Sequence, residues 1–168
     1  MYARYTDRHE AKFGVRWPDV CAADALELLR ATPLPAKDEA DPDAATRARP
    51  IFVDCRTAPE VSVSKIPGAM TESEYRALLQ AADRGKHEDR RVVAYCTVGY
   101  RSGKFVVAER ARRPGADVVN LAGSLLSWTH AGGPLVDSEG RPTARLHVFA
   151  SKWALAPEGI EMVTFPLL

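Results

Sequence analysis

Cysteine is scarce in this sequence: Cys21, Cys55 and Cys96 are its whole complement, far apart and with no Cys-x-x-Cys. An odd, sparse set in a chain of 168 residues does not suggest a disulfide framework. It suits a reducing compartment and leaves room for a working thiol. Histidine is equally thin. His9, His87, His130 and His147 are scattered without the spacing of metal ligands, so no metal site is expected. No charge of one sign dominates: 23 Lys and Arg face 22 Asp and Glu, for a formal net charge of +1. A nucleic-acid or anionic-membrane partner would need a basic excess, so neither is expected. Arg90-Arg91 and Arg110-Ala111-Arg112-Arg113 read instead as solvated faces and helix ends. Long apolar runs are missing too. Met1 to Arg16 is polar and charged, unlike a secretory signal, and no window reaches the roughly 20 apolar residues of a membrane helix. The expectation is a soluble, cytoplasmic protein, or one of an organellar matrix or stroma if a transit peptide was removed from a longer precursor.

What is present is an ordinary globular composition, 46% hydrophobic and 27% charged, sized for one domain over 1–168 with one sizeable core. Residues 32–50, rich in Ala, Asp, Pro and Arg and without hydrophobic periodicity, read as a surface loop. Before it, Pro18 to Arg30 reads as a helix with Pro18 in its first turn and Ala22, Ala25, Leu26 and Leu29 on one face. Ile51 to Asp54 and Arg91 to Tyr95 read as short buried strands. Glu72 to Gly85 reads as a helix with Gly85 as its stop. A further helix is expected from about Ser102 to Arg113, a strand from Asp117 to Asn120, and a short helix from Gly123 to Ala131. Near-continuous apolar strands alternating with helices predict an α/β fold, a parallel sheet with helices on both faces. Residues 135–168 are less regular, with Leu146 to Phe149 and Met162 to Phe165 as further strands or packing arms.

In such a sheet, chemistry collects at the carboxyl ends of the strands. The segment there is Cys96-Thr97-Val98-Gly99-Tyr100-Arg101-Ser102. A cysteine at a strand end, followed by a short loop and a helix start, meets several backbone N–H groups and the positive end of the helix, which lower a thiol's pKa. Gly99 permits the positive φ that a loop curled around one atom needs. Arg101 adds a fixed charge and a fork of donors for an anionic substrate. Together they describe a thiolate nucleophile in an anion-binding cradle.

That loop resembles the active-site loop of the rhodanese family: a cysteine, a glycine in mid-loop and an arginine closing it. Three further blocks carry the resemblance in the same order. Val53-Asp54-Cys55-Arg56-Thr57-Ala58-Pro59-Glu60 is similar to the family's Asp-x-Arg strand motif with its following glutamate. Ile66-Pro67-Gly68-Ala69 matches its Ile-Pro-Gly-Ala turn. Asn120 to Ser124, Trp128 and Gly132-Gly133-Pro134 are similar to the segment that closes the domain. The resemblance covers about residues 51–134, the core of a rhodanese-like fold, and leaves 135–168 as a C-terminal extension that is either an interaction arm or packed on the domain's own core.

The resemblance implies a sulfurtransferase that moves sulfur from a small anionic donor, such as thiosulfate, to a thiol or cyanide through a Cys96 persulfide, with no metal or organic cofactor. A protein acceptor is also open. It implies that Arg101 binds the donor, that Thr97, Val98, Gly99, Tyr100 and Ser102 form the loop around it, and that Asp54 and Arg56 support that loop, the alternative for this pair being a structural ion pair. Trp128 is expected in the core. Two positions depart from the family pattern. Lys65 stands where histidine is common, with little catalytic consequence expected. Cys55 stands where an aliphatic residue is usual; it reads as a small buried strand residue, with a resolving or relay thiol as the alternative. Two other functions share the fold: a phosphatase or arsenate reductase of the Cdc25 type, whose loop has one residue more before the arginine, and a non-catalytic binding or regulatory module, which usually lacks the cysteine.

Overall fold

The computed structural model describes residues 7, 10, 11, 14, 16–31, 49–81, 89–148 and 155–164. Five parallel strands form the main sheet in the order β1-β5-β4-β2-β3: β1 (Asp19–Val20), β2 (Ile51–Asp54), β3 (Met70–Thr71), β4 (Val92–Tyr95) and β5 (Val118–Leu121). β2 and β4 run side by side from Ile51 opposite Val92 to Asp54 opposite Tyr95. All residues of β2, β4 and β5 are buried, as expected where both faces of a parallel sheet are covered.

Side-chain alternation divides the core in two. Phe52, Val93, Tyr95, Val119 and Leu121 point to one face, where they meet α1 (Ala22–Ala31) through Ala25, Leu26 and Leu29 and α5 (Ser124–His130) through Leu125 and Trp128. Ile51, Val53, Cys55, Val92, Ala94, Cys96 and Val118 point to the other. There they meet Tyr75 of α3 (Glu72–Gln80) and Phe105 and Val106 of α4 (Tyr100–Arg112). One further helix, α2 (Ala58–Val63), follows β2. Its Thr57 cap and Glu60 close a capping box, which satisfies end N–H groups that the helix itself leaves free.

Several boundaries differ from the sequence reading. Pro18 lies outside α1, because Asp19 and Val20 pair with Asn120 and Leu121 as an edge strand instead. The two-residue β3 and the single-turn-scale α2 are too short for a periodic signal. α3 ends at Gln80, where Ala81 turns extended as the C-cap, and so stops short of the expected Gly85; Gly85 itself and most of the 32–50 loop lie outside the described residues, as do Phe149, Trp153 and Phe165. At the end of that loop Arg49 is buried, not on the surface. Its Nη2 donates to the Pro67 carbonyl at 3.1 Å and its guanidinium covers Gly68.

The C-terminal extension packs on the domain itself. Lys65 and Val136 exchange backbone hydrogen bonds of 2.8 and 2.9 Å. Leu135, Leu146 and Val148 are buried in the α1/α5 core, and β6 (Arg145–His147) pairs in parallel with β7 (Glu161–Val163) in a separate two-stranded sheet. Trp128 is fully buried and its Nε1–H donates to the Pro134 carbonyl at 3.0 Å.

Gly103 lies where α4 closely approaches Trp17. A Cβ there would sit 2.3 Å from the Trp17 indole. Alanine favours a helix over glycine by about 1 kcal/mol, but overpacking a fitted contact costs about 1–3 kcal/mol. Gly103→Ala is therefore expected to lower the urea midpoint despite its better helix propensity.

Candidate active site

Cys96 follows the last residue of β4, the central strand, and the chain turns through Thr97, Val98 and Gly99 into α4. Gly99 has φ +99°, a left-handed conformation that side chains other than glycine's disfavour. The turn is stapled from below. The Cys96 N–H donates to Ser124 Oγ at 3.0 Å, and Ser124 Oγ–H donates to the Leu121 carbonyl at 3.2 Å. Leu125 and Leu126 at the start of α5 donate backbone N–H groups to the carbonyls of Cys96 and Thr97, each at 3.3 Å. The loop's shape is thus held by the segment after β5.

The Gly99 N–H donates to Cys96 Sγ at 3.1 Å. Burial pushes the Cys96 thiol up, but the Ser102 backbone N–H and hydroxyl, the Arg101 charge and the Gly99 N–H outweigh it, so its pKa lies below that of an ordinary thiol. The Gly99 N–H and the Ser102 N–H and hydroxyl thus converge on one sulfur atom. Thr97 is buried and Val98 leans on the α1/α5 core. Tyr100 packs edge-on against Trp17, with ring centroids 6.4 Å apart, so its ring belongs to the packing on that side.

Arg101 is held by a partner that the sequence reading left out of the site. Its Nη1 and Nη2 donate to the two oxygens of Glu60 at 2.7 and 2.8 Å. Glu60 Oε2 also accepts from the Thr57 N–H at 3.0 Å and hydroxyl at 2.8 Å. Burial works against the Glu60 charge, yet the Arg101 and Thr57 hydrogen bonds bring its pKa from 4.5 to about 2. The Arg101 side chain remains 36% exposed although both terminal nitrogens of its fork are engaged by Glu60.

His147 comes from the C-terminal extension. Its Nδ1 lies 3.4 Å from Glu60 Oε1, with both side chains 5% exposed. Burial lowers the His147 pKa against the pull of Glu60, and the nearby Arg56 and Arg101 charges act in the same direction as burial. A neutral imidazole therefore stands beside the carboxylate that holds Arg101. No local pattern marks His147. Glu60 had a signal, the spacing of the Asp-x-Arg block, and Ser124 had one in its Gly-Ser pair.

Asp54 and Arg56 do not reach into the loop through the hydrogen bonds the structure gives them. Arg56 Nε and Nη2 donate to Asp54 Oδ1 and Oδ2 at 2.9 and 2.7 Å, and Nη2 also donates to the Ser64 carbonyl. The reason is local: both side chains leave the same strand end and close on each other across the turn into α2.

Glu60 supplies a pH-dependent test. A carboxylate whose folded pKa is depressed adds stability above its unfolded pKa and loses it as pH falls towards the folded value. The stability difference between wild type and Glu60→Gln, measured by urea unfolding, is expected to be largest near neutral pH and to shrink as pH falls from 4.5 to about 2.

Comparison with known proteins bears on the family and the fold. The family model for the rhodanese-like domain matches residues 37–131. A sulfurtransferase of Allochromatium vinosum is 32% identical over 90 residues, 54% of this chain and 81% of that protein. A thiosulfate sulfurtransferase structure from Pseudomonas aeruginosa has a TM-score of 0.58 at 20% identity over 90% of this chain, which spans 25% of that longer one. A Rhodopseudomonas palustris protein of unknown function, called a "Possible Tyrosine Phosphatase", has a TM-score of 0.50 at 23% identity, covering 81% of this chain and 94% of its own. At those identities the two structures speak for the fold alone. Among the described residues, no helix is long and apolar enough to cross a membrane.

Proposed function

The chain belongs to the rhodanese-like domain family, and from that premise we propose that it is a sulfurtransferase carrying sulfur as a persulfide on Cys96. The Cys96 thiolate attacks the outer sulfur of an anionic donor such as thiosulfate. A bond forms from Sγ to that sulfur, the donor's S–S bond breaks, and sulfite leaves with the electron pair. A thiol, free or on an acceptor protein, or cyanide in the test tube, then takes the outer sulfur and returns the thiolate. The observation that carries this reading is the single-atom cradle, with the Gly99 N–H 3.1 Å from Cys96 Sγ and the Ser102 groups beside it. It matches the charge of a thiolate and of the persulfide that replaces it. Arg101, anchored on Glu60, meets the donor's anionic end. The whole chain, 1–168, acts as one domain in this reading.

A phosphatase of the Cdc25 type would need a wider loop for a tetrahedral oxyanion. Here the arginine is the fifth residue after the cysteine, not the sixth, which favours sulfur. The reduced protein should gain one sulfur atom on incubation with thiosulfate, read by intact mass, and lose it to cyanide as thiocyanate. Hydrolysis of an aryl phosphate without sulfur uptake would replace this reading with the phosphatase one, and neither activity would leave a binding module.

A further inference from the structure

Cys55 is not used by the proposed reaction, yet it stands beside the cysteine that is. Asp54 pairs with Tyr95 in the β2–β4 register. The Cys55 N–H donates to the Tyr95 carbonyl at 2.8 Å, the bond that closes that pair, so the next residue on each strand, Cys55 and Cys96, follows side by side. In-register residues of neighbouring strands share a face, and both cysteines lie in the same core cluster, in line with Ile51, Val53 and Ala94. Adjacent strands lie about 4.8 Å apart, within the roughly 4.4–6.8 Å Cα separation of disulfides. Both thiols are free. Cys21, the third, is exposed and lies just before α1.

We propose that Cys55 is a resolving thiol that captures oxidised Cys96 as a Cys55–Cys96 disulfide across the ends of β2 and β4.

The oxidant is a hydroperoxide. The Cys96 thiolate attacks its terminal oxygen, the O–O bond breaks, the alkoxide (hydroxide from hydrogen peroxide) leaves with the electron pair and takes up a proton from water, and Cys96 becomes a sulfenic acid. Cys55 Sγ then attacks Cys96 Sγ, the S–S bond forms, the S–O bond breaks, and water leaves with the Cys55 proton. The two thiols have been oxidised and the hydroperoxide reduced. The order of events follows from their environments. Burial, then the charges of Glu72, Cys96 and Asp54, push the Cys55 thiol up, whereas Cys96 is lowered. The pair therefore holds its negative charge on Cys96, which meets the oxidant first. Forming the sulfenic acid removes that charge and with it one of the influences holding Cys55 protonated. A neighbouring resolving thiol also diverts Cys96 from sulfinic acid, from which ordinary thiols do not recover it.

The test uses the full chain carrying Cys21→Ser, so that only the pair reacts, and contains no sulfur donor. Its outcome is therefore independent of the proposed sulfur transfer. The reduced protein is titrated with hydrogen peroxide, unfolded, alkylated and read by intact mass and peptide mapping. The expected product has lost two hydrogens, takes up no alkyl group, yields a peptide pair joining Cys55 to Cys96, and is restored by dithiothreitol. With Cys55→Ser or Cys55→Ala added, Cys96 should instead gain two oxygens and fail to recover. The proposal is overturned if Cys55 remains alkylatable while Cys96 proceeds to sulfinic acid as fast with Cys55 as without it. Using both substitutions guards against one of them disturbing the fold.

Discussion

Cys96→Ala is expected to take up no sulfur from thiosulfate, whereas the wild type gains one atom. The expectation rests on where the nucleophile's activation comes from. Gly99 and Ser102 supply hydrogen bonds and Arg101 supplies charge, and all of these remain in the variant, but none can form the covalent bond to sulfur. The same environment predicts the wild type's pH dependence. Only the thiolate attacks, so reactivity is lost as pH falls through the Cys96 pKa. Because that pKa is lowered, the half-point for alkylation by iodoacetamide should lie below that of an ordinary free cysteine titrated in the same way. Arg101→Ala removes one of the lowering influences and should move the half-point up. A Cys96 that titrated like a free thiol would remove the basis for calling the cradle an activating one. Cys55→Ser, which leaves every donor to Cys96 in place, should still take up sulfur.

Arg56→Ala is expected to cost about 3–5 kcal/mol of stability, the largest loss of any single substitution considered. Asp54 and Arg56 have side chains 1% and 0% exposed, joined by two parallel hydrogen bonds. Removing the guanidinium strands a carboxylate where water does not reach, and its desolvation is then uncompensated. Of the bonds from Arg56, only its backbone N–H, which donates to Asp54 Oδ1 at 3.1 Å, is kept in the variant. A double variant, Asp54→Ala with Arg56→Ala, removes both charges and should be destabilised by clearly less than the sum of the two single changes. Urea unfolding of the four proteins measures that coupling directly. Additive losses would mean that the pair contributes packing alone.

Much of the candidate site was legible in one short segment. Cys96 at the end of an apolar strand, Gly99 in the turn and a helix beginning at once after it define the cradle through local backbone geometry, and all of its donors lie within six residues of the sulfur. The central strands were legible for a similar reason: Ile51–Asp54, Val92–Tyr95 and Val118–Leu121 are buried on both sides, so each is an apolar run bounded by polar residues. β1 and β3 were not, because a two-residue edge strand has no period to detect. Its existence depends on a neighbour already in place, as Asp19 depends on Asn120.

The charged residues divide the same way. That Arg101 lies beside the Cys96 sulfur follows from its distance from Cys96 along the chain. That it is gripped by Glu60, with His147 beside the same carboxylate oxygen, does not, since a guanidinium pairs with any carboxylate that folding brings within reach. The sequence by itself determined a parallel α/β sheet, a cysteine at its carboxyl edge and a six-residue cradle, because apolar runs, positive φ and helix starts are properties of neighbouring residues. The tertiary structure alone decided that the C-terminal extension delivers His147 to the site and that Cys55 stands opposite Cys96. Those placements depend on strand order and register, which are set by how the whole core packs.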